Sequence, residues 1–293
     1  MPNSIGVAAY LGSLVGVAVV ALQLHALGWL GPWFLVLVFL SAVLFSRLLA
    51  RLWPLPRLGE SAGETLRHVP FVLFCVAANS LLARPLMFLL AGWLAHLLPA
   101  SPASFLNGLS LWTLVPGCLI AYECMGYLQH LALHKVGFVW RSIHSTHHEP
   151  PRYGTFLALR IHYLEYFFSQ LTRLLLLHTL GVDPGVILIV VSISWFGGVL
   201  QHTDTSLRFG WLNHFIFTPE THIWHHDTDL RVNFGFGVLT VFDKIGGTFW
   251  YPSGRLPEQL GIRGWRERGL LDAAFCRTTP VSREAPAPAF TDR

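Results

Sequence analysis

The chain has 293 residues, 53% of them hydrophobic and only 12% charged, against the roughly 25% charge usual in soluble globular domains. That balance excludes an ordinary water-soluble surface and points to a membrane protein. The net charge is +4, but Lys and Arg are scattered among loops instead of forming one basic stripe, which argues against nucleic acid as a partner.

A bilayer-spanning helix needs about 20 mainly apolar residues. The first such stretch covers residues 5–28; Met1 to Ser4 lack the positive charge of a cleaved signal peptide, so it reads as a retained anchor. Gly31-Pro32 turns the chain into a second span over 33–50. Arg47, Arg51 and Arg57 follow, with Arg67 beyond, and such clustering near a short loop marks the cytoplasmic side. A third stretch, 69–98, contains Asn79 and the pair Arg84-Pro85; the proline removes a backbone hydrogen bond, which predicts one broken span or a re-entrant pair. The uncharged loop 99–107 suits a non-cytoplasmic connection, and a fourth span, 108–128, returns to the cytoplasmic face.

From 129 to 162 the sequence is polar and rich in histidine, and from 163 to 200 it is apolar again, with a turn signal between Gly181 and Gly185. A hairpin there brings the histidines before it to the same face as those after it. Beyond Tyr251 the chain is amphipathic, and from about Thr278 it has too little to bury to be well ordered. The expected fold is all-α: a polytopic membrane helical bundle of about four spans, a re-entrant apolar hairpin and a cytoplasmic-face helical histidine cluster. Three regions are expected: a transmembrane anchor (1–118), a catalytic domain (119–251) and a cytoplasmic tail (252–293). Cys75, Cys118, Cys124 and Cys276 show no CxxC spacing, so neither a zinc ribbon nor a disulfide framework is implied.

Eight of the 15 histidines fall into three groups: His130 with His134, then His144, His147 and His148, then His222, His225 and His226. Residues at i, i+3 and i+4 share a helix face, so each group is expected to project its imidazoles to one point. His202, where the apolar hairpin re-emerges, is expected to join them. Imidazole is a good metal ligand near neutral pH, and a catalytic zinc needs only three protein ligands; eight or nine imply two metals. All-nitrogen ligation suits iron, whereas softer sites recruit thiolates. His25, His68, His96 and His178 stand alone and read as interface or loop residues. His162 and His214 lack the spacing and are left out of the ligand set. Among the nearby acids Glu123, Glu149, Glu165, Asp204, Asp227 and Asp229, we expect Glu123, Asp204 and Asp227, with Asn233, to support the ligating rings.

At these residues the sequence resembles the fatty acid hydroxylase, or sterol desaturase, superfamily of membrane di-iron enzymes. His130-x-x-x-His134 and His144-x-x-His147-His148 match its first two histidine boxes, and Thr218 to His226 matches the last. Asn233-Phe234-Gly235 and Phe242 to Phe249 resemble the close of that domain. Glu123 stands where the family often has aspartate, and Leu131 where arginine commonly follows the first histidine. The resemblance covers about Leu119 to Tyr251. It implies two iron ions held by His130, His134, His144, His147, His148, His202, His222, His225 and His226, with O2 as cosubstrate and an external electron donor such as a reductase. A membrane lipid would be hydroxylated or desaturated at the cytoplasmic face of a bacterial inner membrane or the endoplasmic reticulum. Phe156, Tyr163, Phe167 and Trp195 are candidate lining for the lipid path. The rival readings are a metal transporter, whose ionisable residues would interrupt the spans, a metal-dependent hydrolase, for which no HExxH occurs, and a haem protein.

Overall fold

The computed structural model describes residues 3–97, 106, 108–229, 235–264 and 267–277. Their secondary structure is helical, with isolated bridges but no strands among the described residues. Helices α1 (Asn3–Ala26) and α2 (Trp33–Leu52) form the first hairpin. Helices α3 (Ala62–Ala78) and α4 (Arg84–Leu97) run on through a π-helical turn at Asn79–Ala83. That wide turn lies just before Pro85, whose ring would otherwise meet the carbonyl four residues back, so the proline perturbs the helix without ending it. α5 (Leu111–Lys135), α6 (Tyr163–Thr179) and α7 (Pro184–Gln201) complete the set of long helices.

Among the described residues, five stretches are long and apolar enough to cross a membrane: α1, α2, Ala62–Leu94, α5 and α7. Their outer faces carry side chains such as Leu44, Leu81 and Trp112, exposed by 71%, 74% and 74%; so large an apolar surface suits lipid and not water. The chain is an integral membrane protein.

α7 forms the centre, with α1, α2 and α5 packed around it and Val186, Ile189 and Val190 fully or almost fully buried. One hydrophobic core runs from Tyr10 and Phe34 to Val199 and Phe209, so α1 and α2 share packing with the histidine-bearing half. α6 packs on α5 and α4. The turn expected after α6 occurs at Gly181, whose φ of 70° favours glycine. Asp183 then caps α7, accepting from the Gly185 N–H at 2.8 Å, with Pro184 in the first turn.

One boundary differs in a way that matters. The fourth span was expected to stop at Leu128, where polarity rises, but α5 continues to Lys135. A helix is propagated by its backbone ladder, so Gln129, His130 and His134 do not break it, and the first histidine pair rides on its end. The segment from Thr278 onward lies outside the described residues.

Candidate metal centre

The structure brings all nine candidate imidazoles together, in two groups. One nitrogen each from His130, His134, His144, His148 and His225 lies within 4.8 Å of the others; the same holds for His147, His202, His222 and His226. This corrects the expectation that each sequence group converges on one point. At about 100° per residue, position i+4 lies ~40° from i on one side and i+3 lies ~60° away on the other. The i/i+4 pair therefore serves one group and the i+3 residue the other. His144 and His148 join the first group and His147 the second; His222 and His226 join the second and His225 the first.

Short, tight segments supply these rings. The second set sits on the π-helical turn Trp140–His144 and the single helical turn Ser145–His148, ended before Pro150-Pro151. The third sits on Pro219–His222 and the 3-10 turn Ile223–His226, started by Thr218, whose N–H donates to the Thr221 hydroxyl at 2.9 Å. Glu220 anchors this segment by accepting from the Phe209 N–H at 2.7 Å and the Asn213 amide at 2.8 Å. His202 follows the end of α7.

The hydrogen bonds test whether cations fit. His130 Nδ1 donates to the Phe236 carbonyl, His144 Nδ1 to Glu165 and His202 Nδ1 to the Gly198 carbonyl, each at 2.9 Å. These acceptors place the proton on Nδ1, which in a neutral ring leaves Nε2 as a bare lone pair. Yet His130 Nε2 and His144 Nε2 stand 3.0 Å apart, and His144 Nε2 also meets His134 Nε2 at 3.1 Å and His148 Nε2 at 3.3 Å. Converging lone pairs at that distance repel unless a cation lies among them. In the second group His202 Nε2 is 3.2 Å from His147 Nε2 and 3.1 Å from His222 Nε2. Both ring nitrogens of buried His226 lack a hydrogen-bond partner among the described residues. The donor set fits two metal ions.

Burial, reinforced by neighbouring imidazoles, holds His147, His148, His222, His225 and His226 well below the ordinary value of 6.5. Burial, partly offset by the hydrogen bond to the Gly198 carbonyl, brings His202 to about 4. These six rings are therefore neutral in the folded state at pH 7. Below about 6.5 the unfolded chain takes up protons that the folded chain refuses, so folding loses stability as pH falls. The metal-free protein should show a flat melting temperature from about pH 7 to 8 and a steady decline below about 6.5, in a thermal-unfolding series over pH.

The acids are placed as follows. Glu165 reaches the site by accepting from His144; its signal was its place near the clusters, but nothing in the sequence set it above the other acids. Glu123 is buried, with Ser194 and Arg173 as neighbours. Asp204 lies 3.7 Å from Arg47, Asp227 accepts from the Asp229 N–H at 2.7 Å, and Asn233 lies outside the described residues. A further carboxylate, Asp243, accepts from Phe236 N–H at 3.0 Å, Gly237 N–H at 3.1 Å and Thr248 Oγ1 at 2.7 Å. It thereby fixes the segment whose Phe236 carbonyl orients His130. Removing a carboxylate behind a ligating imidazole typically lowers metal affinity ~10–100-fold; Glu165→Ala should do so in a chelator-competition titration.

The rings that touch the imidazoles are Trp140, Tyr153 and Phe236. Trp140 lies 4.6 Å from His134, Tyr153 5.6 Å from His226 and Phe236 4.9 Å from His134. The four aromatics expected to line a lipid path sit elsewhere in part: Phe167 packs with Met87, Tyr163 stacks on His162, and Trp195 lies 5.9 Å from Tyr166. Phe156 is half-buried. His162 accepts from the Leu164 N–H and caps α6, and His214 faces Phe249 and Tyr251.

Residues 115–248 match the model of the fatty acid hydroxylase family. The chain is 30% identical over 156 residues to an ornithine lipid hydroxylase of Rhizobium tropici, covering 52% of this chain and 46% of that protein. It is 29% identical over 141 residues to an alkylglycerol monooxygenase of Caenorhabditis elegans, covering 47% and 27%. Over 126 residues it is 26% identical to one of Xenopus tropicalis, covering 42% and 27%. The matches thus span less than half the length of each of these relatives. No solved structure matches.

Proposed function

We propose, from the match of residues 115–248 to the model of the fatty acid hydroxylase family, that this chain is a membrane-bound, O2-dependent di-iron enzyme that oxidises a C–H bond of a polar membrane lipid. The observation that carries the reading is the double cluster of nine imidazoles, three of which have their lone pairs fixed by Nδ1–H donors. The relatives' names supply the substrate class: both describe lipid oxidation.

A saturated C–H bond has no acidic proton and no leaving group. Two bound iron ions would supply the redox chemistry that side chains lack, drawing electrons from an external reductase. His130, His134, His144, His148 and His225 would hold one ion; His147, His202, His222 and His226 would hold the other. Glu165, the Phe236 carbonyl and the Gly198 carbonyl orient the rings by accepting their outer N–H groups. Trp140, Tyr153 and Phe236 close over the imidazoles and keep bulk water from the reacting carbon. His130 and His134 lie at the end of α5, and His202 just past α7. An acyl chain entering from the bilayer would therefore meet the centre where the helices give way to loops. We assign that boundary to the cytoplasmic side because Arg47, Arg51 and Arg57 cluster there.

The test is O2 consumption and lipid oxidation by the purified full chain with a membrane lipid extract and a reductase. His147→Ala and His225→Ala should each lose at least ~100-fold in product, the upper range seen even for outer partners of a metal site. Equal lipid oxidation by wild type and both variants would end this reading.

A further inference from the structure

Beside the second histidine group lies a cleft of about 470 Å³ that the proposed chemistry does not use, lined by Arg47, Arg51, Leu55, Gly59, Glu60 and Asp204 among others. Its charges are layered. Arg51 is exposed and the Arg47 side chain 39% exposed, at the mouth; the Glu60 and Asp204 side chains, 0% and 9% exposed, form the floor. Three buried polar atoms of this cleft, Arg47 Nη1, Glu60 Oε1 and Asp204 Oδ1, have no hydrogen-bond partner among the described residues. Arg47 Nη1 stands 3.7 Å from Asp204 Oδ1, and His68 Nε2 3.5 Å from Glu60 Oε1, both too long for good hydrogen bonds. Buried charged groups are ordinarily paired and hydrogen-bonded, so these atoms are arranged for something that enters.

We propose that the cleft binds the headgroup of a lipid carrying both a primary ammonium and an acidic group, with the ammonium on Glu60 and Asp204 and the acid on Arg47 and Arg51. The ammonium is primary because the two carboxylate oxygens, which have long ion-pair contacts but no hydrogen bond, need N–H donors. A quaternary ammonium has none and is held by aromatic faces, and no aromatic side chain lines this cleft. A plain anion would leave the carboxylates unmet, and a plain cation would leave the arginines. The position argues for a lipid over a soluble zwitterion: α2 ends at Leu52 and α7 at Gln201, and the cleft straddles both ends, at headgroup level.

The cleft also reaches the metal centre through one side chain. Glu60 N–H donates to the Tyr153 carbonyl at 3.1 Å, and the Tyr153 ring lies 5.8 Å from His202. Asp204 is two residues from His202. A headgroup seated here would anchor the lipid beside the imidazoles. As the substrate's anchor this rests on the proposed hydroxylase activity; as a binding site it stands apart from it.

The experiment measures binding of short-chain dihexanoyl phosphatidylethanolamine and phosphatidylcholine, which differ only in three N-methyl groups, to the full chain in detergent, before and after chelation of metal. A charged hydrogen bond is worth about tenfold or more in affinity, so phosphatidylethanolamine should bind at least about tenfold tighter. Glu60→Gln should erase that preference; Asp204→Asn serves as the second variant where Glu60→Gln misfolds. Arg51→Gln should weaken both lipids and leave the preference intact. Free glycerophosphoethanolamine should bind at least about tenfold more weakly than the lipid, since it lacks the apolar chains. Equal binding of the two lipids, a preference that survives both acid variants, or equal binding of the free headgroup would overturn the proposal. The preference, found in a chain that oxidises no lipid even when iron-loaded and supplied with a reductase, would defeat the hydroxylase reading alone.

Discussion

Replacing His226 with alanine should cut bound iron from about two ions per chain to about one and abolish lipid oxidation, while His225→Ala should keep nearly both ions. The asymmetry follows from how the imidazoles divide. His226 belongs to the group of four, so its loss leaves three, the minimum for a catalytic site and without the closed coordination that retains an ion against a chelator. His225 belongs to the group of five, and its loss still leaves four. The two residues are adjacent in sequence and both buried, so general damage to the segment would affect them alike. Metal analysis of the purified variants after exposure to a mild chelator reads the difference. Identical iron content in the two variants would show that the nine rings do not divide into the two groups seen here. Activity would not separate the two, because His226→Ala lacks an ion and His225→Ala holds one with an altered set of rings; stoichiometry carries the information.

That division was only half legible in the sequence. The repeated H-x-x-H-H spacing marked six of the nine residues that the structure brings together, the i, i+4 spacing marked His130 and His134, and the end of the apolar hairpin marked His202; such spacings survive whether the segment is a long helix or a single turn. They did not reveal which of the two groups each ring joins, since that depends on the 100° between i+3 and i+4 once two groups draw on one segment. The supporting acids were harder. Glu165 and Asp204 are both close to histidines along the chain, yet Glu165 meets His144 across 21 residues while Asp204 faces Arg47. The path of the backbone between Pro150 and His162 decides this, and that path has no periodic pattern to read. The helices were legible because apolar length measures bilayer thickness. Their polar ends were not, as α5 shows by carrying its helix seven residues past Leu128. Arg268, in a stretch read as tail, proved to be buried against the second histidine set.

Glu149→Ala should destabilise the protein by about 3–5 kcal/mol, the usual cost of breaking a buried ion pair by removing one member, and more than any single histidine change. Glu149 follows His148, and its side chain and that of Arg268 are both 0% exposed. Its carboxylate accepts from Arg268 N–H at 3.0 Å and from Arg268 Nε, and Arg160 Nη2 stands 3.7 Å away. Arg268 in turn donates to the Ser145 hydroxyl and the Arg141 carbonyl, and Arg160 Nε to the Thr146 carbonyl at 2.7 Å. These two guanidinium groups thus clamp the back of the turn that presents His144, His147 and His148. Arg160 would keep Glu267, 2.9 Å away, but Arg268 would lose the Glu149 carboxylate. The melting temperature should fall by on the order of 10 °C. Because replacing a whole buried pair by apolar residues is often close to neutral, Glu149→Leu combined with Arg268→Met should be less damaging than the sum of the two single changes. A double-mutant cycle in which the effects simply add would show that the pair is not coupled and that Arg268 acts through its other contacts.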